Sequence, residues 1–405
     1  MRQQDEAVGH AVRAVYLYSG MADVARLTGD EELLAACTRL WDSIVNRKMY
    51  ITGGIGATNH GEAFLYDYEL PNDLAYSETC AAIGLVFFAR RMLQIDVDSR
   101  YADVMERALY NTVLAGMALD GKSFFYVNPL EVRPEACRKD ERKFHVKPVR
   151  QKWFGCACCP PNIARLVSSV GTYAYTESED TLFMHLYVGG TIEKSYGAKE
   201  IVWDVDSDVL ESGKIRIACR EVRAKGGSGS AGTDAGIAHS TLAIRIPDWC
   251  DSYTLSCGTY THELKKGYEY ISGAFKQGDV IELEFKRSVR VMEASTSVPE
   301  DHGKVALSYG PFVYCIEEKD NGKDLHLFSV STDPAKAKLD KITIEGDTVT
   351  KIVMPGKKER PRTEALYSAY KKPEYDDIEL TFIPYYTWAN RGEGEMRVWV
   401  NAFTH

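Results

Sequence analysis

Trp153-Phe154-Gly155-Cys156-Ala157-Cys158-Cys159-Pro160-Pro161-Asn162 places three thiols within four positions, shortly before a helix-rich text gives way to strands. A disulfide inside so short a stretch is badly strained, because bridged Cα atoms stand about 4.4–6.8 Å apart with a fixed torsion. The thiols therefore read as ligands of a soft metal or as a reactive thiolate. Upstream lie apolar stretches of helical length: Glu6 to Leu27, Asp30 to Val45 with Asp30 as N-cap, Glu78 to Leu93, Arg100 to Leu114, and Asn162 to Tyr173 after the Pro160-Pro161 breaker. Ile83 to Leu93 is apolar almost all round, which predicts a buried helix. Two long irregular segments, Thr52 to Ala75 and Tyr126 to Phe154, separate the helices, and loops of that length in a compact domain are usually functional or disordered. The glycines from Gly53 to Gly56 and the aromatics Phe64, Tyr66 and Tyr68 argue for order in the first of them.

Downstream, from about residue 175, the text turns to short alternating runs separated by turn residues: Leu182 to Leu186, Thr191 to Glu193, Lys214 to Cys219, Thr241 to Ile246, Val280 to Phe285 and Lys304 to Tyr309. Many short strands at such spacing predict a β-sandwich. A second β unit follows Ser295, with Ile378 to Phe382 and Met396 to Val400 as late strands. Ala224 to Gly236, rich in Gly, Ser and Ala, reads as a hairpin loop without chemistry. The expected fold class is multidomain α plus β: helices over 1–175, a β-sandwich (jelly-roll-like) domain over 176–294, a second one over 295–388, and a terminal segment, 389–405, returning to the first sandwich.

Composition narrows the function. The chain has 405 residues, 45% hydrophobic and 26% charged, which is ordinary globular material of enzyme size. Its net charge of −9, with Lys and Arg dispersed, argues against nucleic acid, which needs a concentrated basic face. No stretch approaches the roughly 18 apolar residues of a spanning helix and no charged-then-apolar leader opens the chain, so no membrane partner is expected. The ten cysteines show no small-scaffold disulfide spacing, which favours a reducing, cytoplasmic compartment.

Glu78-Thr79-Cys80 is the natural partner of the later cysteines. Zinc favours thiolates with an occasional carboxylate, four-coordinate, with Zn–S about 2.3 Å. Glu78, Cys80, Cys158 and Cys159 would complete such a tetrahedron. Residues two apart on an α-helix point about 200° from each other, so Glu78 and Cys80 converge only from extended chain or a leading turn. A site at the mouth of a helix is implied. The competing reading makes Cys80 a core cysteine packed as a small apolar residue.

At this point the residues carry a resemblance. Tyr50-Ile51-Thr52-Gly53-Gly54-Ile55-Gly56, Gly61-Glu62-Ala63-Phe64, Leu70-Pro71-Asn72-Asp73, Tyr76-Ser77-Glu78-Thr79-Cys80-Ala81 and Cys156-Ala157-Cys158-Cys159-Pro160-Pro161-Asn162 are together similar to the β-L-arabinofuranosidase family of glycoside hydrolases, family 127. The resemblance implies a retaining glycosidase that releases L-arabinofuranose through a zinc-bound cysteine. Residue by residue, Glu78, Cys80, Cys158 and Cys159 match the zinc ligands, Cys158 the nucleophile and Glu62 the acid/base. His10, Glu78, Tyr126 and Cys156 match residues lining the sugar pocket. The implied ligand is an arabinofuranosyl oligosaccharide or glycopeptide. The implied catalytic fold is an (α/α)6 barrel. Residues 1–175 hold only about five or six helical stretches by periodicity, so an incomplete barrel, its C-terminal half, is expected. Such a half exposes apolar helix faces, and the absent half or a homo-oligomer is the expected partner.

A retaining glycosidase normally assigns the double acid and base role to a carboxyl raised by its surroundings, and Phe64, Tyr66 and Tyr68 could desolvate Glu62. Without the resemblance, Glu62 reads as a solvated loop carboxylate, His10 as an interior histidine beside Val8, Val12 and Val15, and Tyr126 as core. His60 and His145 lie in the long loops, and for His60, two residues from Glu62, a pocket and a surface role are equally open. Two other function classes stand beside the hydrolase: a non-catalytic carbohydrate-binding protein, and a thiol redox or zinc-binding protein that uses the cysteines and leaves Glu62 idle.

Overall fold

A computed structural model describes residues 1–225, 236–362 and 365–403. The chain divides into two compact units: Met1–Phe88, Arg107–Ala164 and Val289–His405 form one, and Ala89–Glu106 with Arg165–Ser288 the other.

The first unit opens with α1 (Ala11–Thr28) and α2 (Glu31–Arg47). Gly29, at φ 70°, closes α1 in the left-handed conformation that glycine adopts without strain. Asp30 caps α2 by accepting from the Leu33 N–H at 2.9 Å, with Glu31 and Glu32 complementing the helix dipole behind it. The first helix starts later than its apolar pattern predicts: Gly9 takes a left-handed φ of 78° and His10 is extended and bridges Ala63. Along the chain follow α3 (Thr79–Leu93), α4 (Ser99–Ala108, mostly in the second unit), α5 (Pro134–Lys139) and α6 (Cys159–Ser168). The third is buried, as its all-round apolar text predicts, with Ile83, Leu85, Val86 and Phe88 fully inside. At Gly84 an added Cβ would lie 2.4 Å from a Val15 methyl, so glycine there lets α1 and α3 approach closely. Pro160 and Pro161 do not act as a breaker. They occupy the first turn of α6, where a missing N–H costs no helical bond.

Two expectations for the C-terminal part are corrected. Strands Lys304–Tyr309, Phe312–Glu317, Tyr375–Pro384, Asp347–Glu359, Phe328–Ser331 and Val400–Phe403 pair successively, and the last returns to the first. The second β unit is thus a closed six-stranded barrel, which removes exposed edges, rather than a sandwich. The segment 389–405 does not return to the first β unit. Its strands pair with Glu131–Val132, Phe312–Glu317, Lys304–Tyr309 and Phe328–Ser331, because Met396, Val398 and Val400 bury their side chains in this unit's own core.

That core reaches into the second long loop. Phe125 stacks on Trp388 at 4.6 Å, and the Tyr385 hydroxyl donates to the Pro129 carbonyl at 2.8 Å. The loop is ordered by these contacts and carries α5, which its text does not announce.

The second unit holds two five-stranded sheets. One is built from Tyr175–Glu177, Thr181–Met184, Ile237–Arg245, Tyr268–Lys276 and Thr261–Lys265, the other from Gly190–Tyr196, Lys199–Asp208, Lys214–Ala224, Val280–Lys286 and Ser252–Ser256. Trp203, Ile217 and Leu283 of the second sheet share one buried cluster with Leu242, Ile271 and Phe275 of the first. The strands flanking the hairpin loop expected across Ala224 to Gly236 belong to different sheets, and 226–235 lie outside the described residues. No helix among the described residues is long and apolar enough to cross a membrane. All ten cysteines are free thiols.

Candidate functional site

The entry to α3 is built as its sequence requires. Glu78 pairs with Val127 in an isolated antiparallel bridge, the Thr79 N–H donates to the Tyr126 carbonyl at 3.0 Å, and the Asn128 N–H donates to the Ser77 carbonyl at 3.1 Å. The Asn128 amide also reaches the Ser77 carbonyl and the Thr79 hydroxyl, both at 2.9 Å. Glu78 therefore leaves extended chain while Cys80 sits in the first helical turn, and the two converge. Ser77, at φ 39°, carries the backbone strain of this corner.

The opposite wall is the start of α6. Cys158 precedes the helix and Cys159 opens it. The sulfur of Cys159 stands 3.6 Å from that of Cys80 and 3.8 Å from that of Cys158, and Cys158 Sγ is 3.6 Å from Glu78 Oε1. Tetrahedral coordination at ordinary zinc bond lengths requires S···S edges of about 3.8 Å and S···O edges of about 3.5 Å. These three edges have that spacing, and all four donors lie within 4.8 Å of one another.

Electrostatics point the same way. Burial, then the charge on Cys158, pushes Glu78 up to about 8. The thiols of Cys159 and Cys80 donate to Cys158 and hold it well below the usual thiol range, and hydrogen bonding to Cys158 leads the causes that push those two up. Four acidic donors so close cannot all ionise unaided. Glu78 Oε2 is buried with no hydrogen-bond partner. A divalent cation would remove both costs, so the residues fit a metal of the zinc type.

Tyr126 places its hydroxyl 3.3 Å from Cys158 Sγ and 4.0 Å from Cys156 Sγ. Cys156 is exposed, and Cys158 partly so. Glu62 ends a tight turn in which the Ala63 N–H donates to the Thr58 carbonyl at 3.1 Å, and holds a left-handed φ of 52°. His10 Nε2 lies 2.9 Å from Glu62 Oε2, and His10, Glu62 and Glu78 form a second tight donor cluster. All the residues singled out from sequence, His10, Glu62, Glu78, Cys80, Tyr126, Cys156, Cys158 and Cys159, thus come together in the first unit.

The aromatic shield expected around Glu62 differs from what is found. Tyr66 is 69% exposed and donates to Glu69, while Glu62 keeps about a third of its side chain in water. Its polar neighbour is Tyr76, whose hydroxyl bonds to it. Tyr76 was missed as a site residue because extended chain has no helical period to place its ring; its position in Tyr76-Ser77-Glu78 was the available signal. Asn162 was missed too: it bonds Cys80 and holds the Tyr16 hydroxyl. His60 is exposed, whereas His145 packs against Tyr76 with ring centroids 5.9 Å apart. A separate cleft of about 800 Å³ between α5 and residues 318–326 contains none of these groups, and its charges pair among themselves, as in Arg138 with Glu393.

The helix-mouth cluster of thiols and carboxylates lies in the part of the chain that matches the catalytic domain of a family of glycoside hydrolases. Residues 1–172 match the "Beta-L-arabinofuranosidase, GH127 catalytic domain", 181–287 the middle domain and 289–401 the C-terminal domain of that family. The chain belongs to glycoside hydrolase family 127. It is 38% identical, over 98% of its length, to a non-reducing end beta-L-arabinofuranosidase of Bifidobacterium longum subsp. longum, and covers 60% of that protein. A solved GH127 beta-L-arabinofuranosidase from Geobacillus stearothermophilus T6 superposes with a TM-score of 0.89 at 44% identity, covering 99% of this chain and 62% of that one. A solved GH127 beta-arabinofuranosidase superposes with a TM-score of 0.85 at 37% identity, covering 99% and 61%. The chain therefore spans about three fifths of the length of these relatives.

Proposed function

We propose that this chain carries the reacting groups of a retaining glycoside hydrolase that releases L-arabinofuranose from the non-reducing end of β-L-arabinofuranosides, with oligosaccharides or glycopeptides as substrates. The observation that carries this reading is that Glu62 and Cys158 both lie against Glu78, one a solvent-reachable carboxyl and the other a thiol held ionised. Retaining enzymes keep their two reacting groups only about 5–5.5 Å apart, and a shared neighbour suits that spacing.

In the first step the Cys158 thiolate attacks the anomeric carbon, a C–S bond forms as the C–O bond breaks, and Glu62 gives its proton to the departing oxygen. In the second, Glu62 takes a proton from water as that water displaces the thiolate, which restores both groups. His10 holds the Glu62 carboxyl in place through its Nε2 contact. The Tyr126 hydroxyl, 3.3 Å from that sulfur, would donate to the thiolate and stabilise its charge when it leaves. Zinc held by Glu78, Cys80, Cys158 and Cys159 would keep the thiols deprotonated at neutral pH. The helices of the first unit would be half of an (α/α)6 barrel, the paired sheets of the second unit a β-sandwich, and the compartment the cytoplasm.

A thiol redox reading has one observation in its favour, the 3.6 Å approach of Cys80 and Cys159. Metal analysis with hydrolysis of a chromogenic β-L-arabinofuranoside by wild type, Glu62→Gln and Cys158→Ser separates the two. Loss of hydrolysis with metal retained in Glu62→Gln is expected. Equal activity in all three would remove the mechanism, and reversible oxidation without hydrolysis would favour redox.

A further inference from the structure

Arg150 is a buried cation with no acid to answer it. It is 8% exposed and donates from Nε to the Ala115 carbonyl at 3.0 Å and from its two terminal nitrogens to the Trp388 and Tyr386 carbonyls at 2.6 and 3.1 Å. No carboxylate joins these contacts among the described residues, and desolvation lowers the group to about 10. A guanidinium enclosed by neutral acceptors alone keeps part of its desolvation penalty, so what it holds together must matter.

The acceptors come from two distant segments of the first unit. Ala115 lies just before Gly116, whose carbonyl accepts from the Phe125 N–H at 2.9 Å, and Tyr386 and Trp388 follow the barrel strand Tyr375–Pro384. The guanidinium carbon also stands 4.5 Å from the centre of the Phe125 ring, and that ring stacks on Trp388 at 4.6 Å with 12° between the planes. A planar fork can serve several acceptors and an aromatic face at the same time, which a lysine ammonium cannot.

The clamp is adjacent in the chain to both the candidate nucleophile's loop and its tyrosine. Phe125 precedes Tyr126, whose hydroxyl lies 3.3 Å from Cys158 Sγ. Phe124 and Gln151 exchange two backbone bonds of 2.8 Å, so one chain leaves this paired point toward Tyr126 and the other toward Cys156 and Cys158. Thr79 fixes the backbone here, its hydroxyl donating to the Phe125 carbonyl at 2.9 Å and its N–H to that of Tyr126 at 3.0 Å. The Phe125 ring is fixed from the other direction, by Arg150 and Trp388.

We propose that Arg150 is a positioning residue which, with Trp388, sets the Tyr126 hydroxyl on the Cys158 sulfur, and that the C-terminal barrel thereby takes part in the reaction. The assignment rests on the hydrolase reading above. A hydrogen bond weakens steeply with distance and angle, and a misplacement of about 1 Å at a reacting group can cost on the order of a hundredfold in rate. An arginine that merely satisfied three carbonyls would support the fold as a whole. One that positions Tyr126 acts through that hydroxyl, and the two roles differ in what happens when the hydroxyl is gone.

The test is a double-mutant cycle with two readouts. One is kcat on a chromogenic β-L-arabinofuranoside; the other, independent of turnover, is the rate at which iodoacetamide alkylates Cys158 in metal-free protein at one fixed pH, mapped by peptide mass. Arg150→Lys should lower kcat about tenfold, as Tyr126→Phe does, leave KM within about twofold, and change the alkylation rate in the same direction as Tyr126→Phe. In the Tyr126→Phe background the same substitution should alter either rate by less than about twofold. Trp388→Leu keeps its backbone carbonyl and should show the same pattern with smaller losses, and it carries the test if Arg150→Lys does not fold. Equal losses in both backgrounds, or none in either, overturn the assignment and leave the hydrolase reading standing. If the alkylation cycle holds while the wild type hydrolyses no arabinofuranoside, the hydrolase reading fails and the placement of the hydroxyl on the sulfur survives.

Discussion

Arg245 and Glu78 are both buried charges, one in each compact unit, and their surroundings differ in whether the charge is answered. Arg245 is fully enclosed, yet its guanidinium reaches Asp103 and Glu106 at 2.5 Å each and the His185 carbonyl at 2.6 Å. The Trp249 indole donates to the remaining oxygen of Glu106 at 2.7 Å. That cluster closes on itself and fastens the second half of α4 to the strand Ile237–Arg245. Around Glu78 the neighbours are three thiols and a second carboxyl, one carboxylate oxygen has no partner, and every added ionisation raises the cost of the next. A self-satisfied cluster is architecture, whereas an unbalanced one is completed by something from outside.

The contrast can be broken at either end. Arg245→Met should cost about 3–5 kcal/mol in urea unfolding, because two carboxylates are left buried without a cation. Adding Asp103→Leu and Glu106→Leu should recover most of the loss, and zinc should leave the difference of either variant from wild type unchanged. At the other cluster, chelation should lower the unfolding temperature of the wild type, equivalent to about 2.7 kcal/mol for metal supplied at a hundredfold over its dissociation constant. Cys159→Ser should abolish that response; an unchanged chelator effect would show that the four donors are not the metal site.

A smaller effect is expected at Tyr126. Tyr126→Phe removes one donor to the Cys158 sulfur, so hydrolysis should fall about tenfold. In metal-free protein the pH midpoint for alkylation of that thiol should rise.

A change of comparable size concerns a buried acid on neither cluster. Asp301 accepts from the Asn72 amide at 2.7 Å, and desolvation pushes it up to about 6. A carboxyl whose folded value lies above its unfolded value binds its proton first in the folded state. Its penalty is therefore full above pH 6 and relieved as pH falls toward 4. Asp301→Asn should remove the penalty, gaining about 2 kcal/mol over wild type at pH 7 and little at pH 4, read from urea midpoints at the two values.

Much of the site was legible because its chemistry is local. The spacing of Cys156, Cys158 and Cys159, and the need for Glu78 and Cys80 to straddle a helix start, follow from covalent geometry alone. The cap at Asp30 and the buried character of Ile83 to Leu93 are likewise short-range. Tyr76 and Asn162 escaped notice because their partners, Glu62 and Cys80, meet them through extended chain and across the fold.

The β region shows the other limit. Alternation marked several of its strands, including Lys304–Tyr309 at its observed bounds, but alternation says only which face is buried. Whether strands close into a ring or pair as sheets depends on which edges find each other. The residues that decide it here, such as Val305 opposite Val400 and Val330 opposite Ala402, are far apart in sequence. Taken alone, the sequence specified the donors, the helix mouth that presents them and the family. The tertiary structure decided that His10, Glu62 and Tyr126 share one pocket with the thiols, that the last strand completes a barrel in its own unit, and that Trp388 stacks on Phe125. Those outcomes depend on long-range packing and on how buried charges balance, which no local pattern encodes.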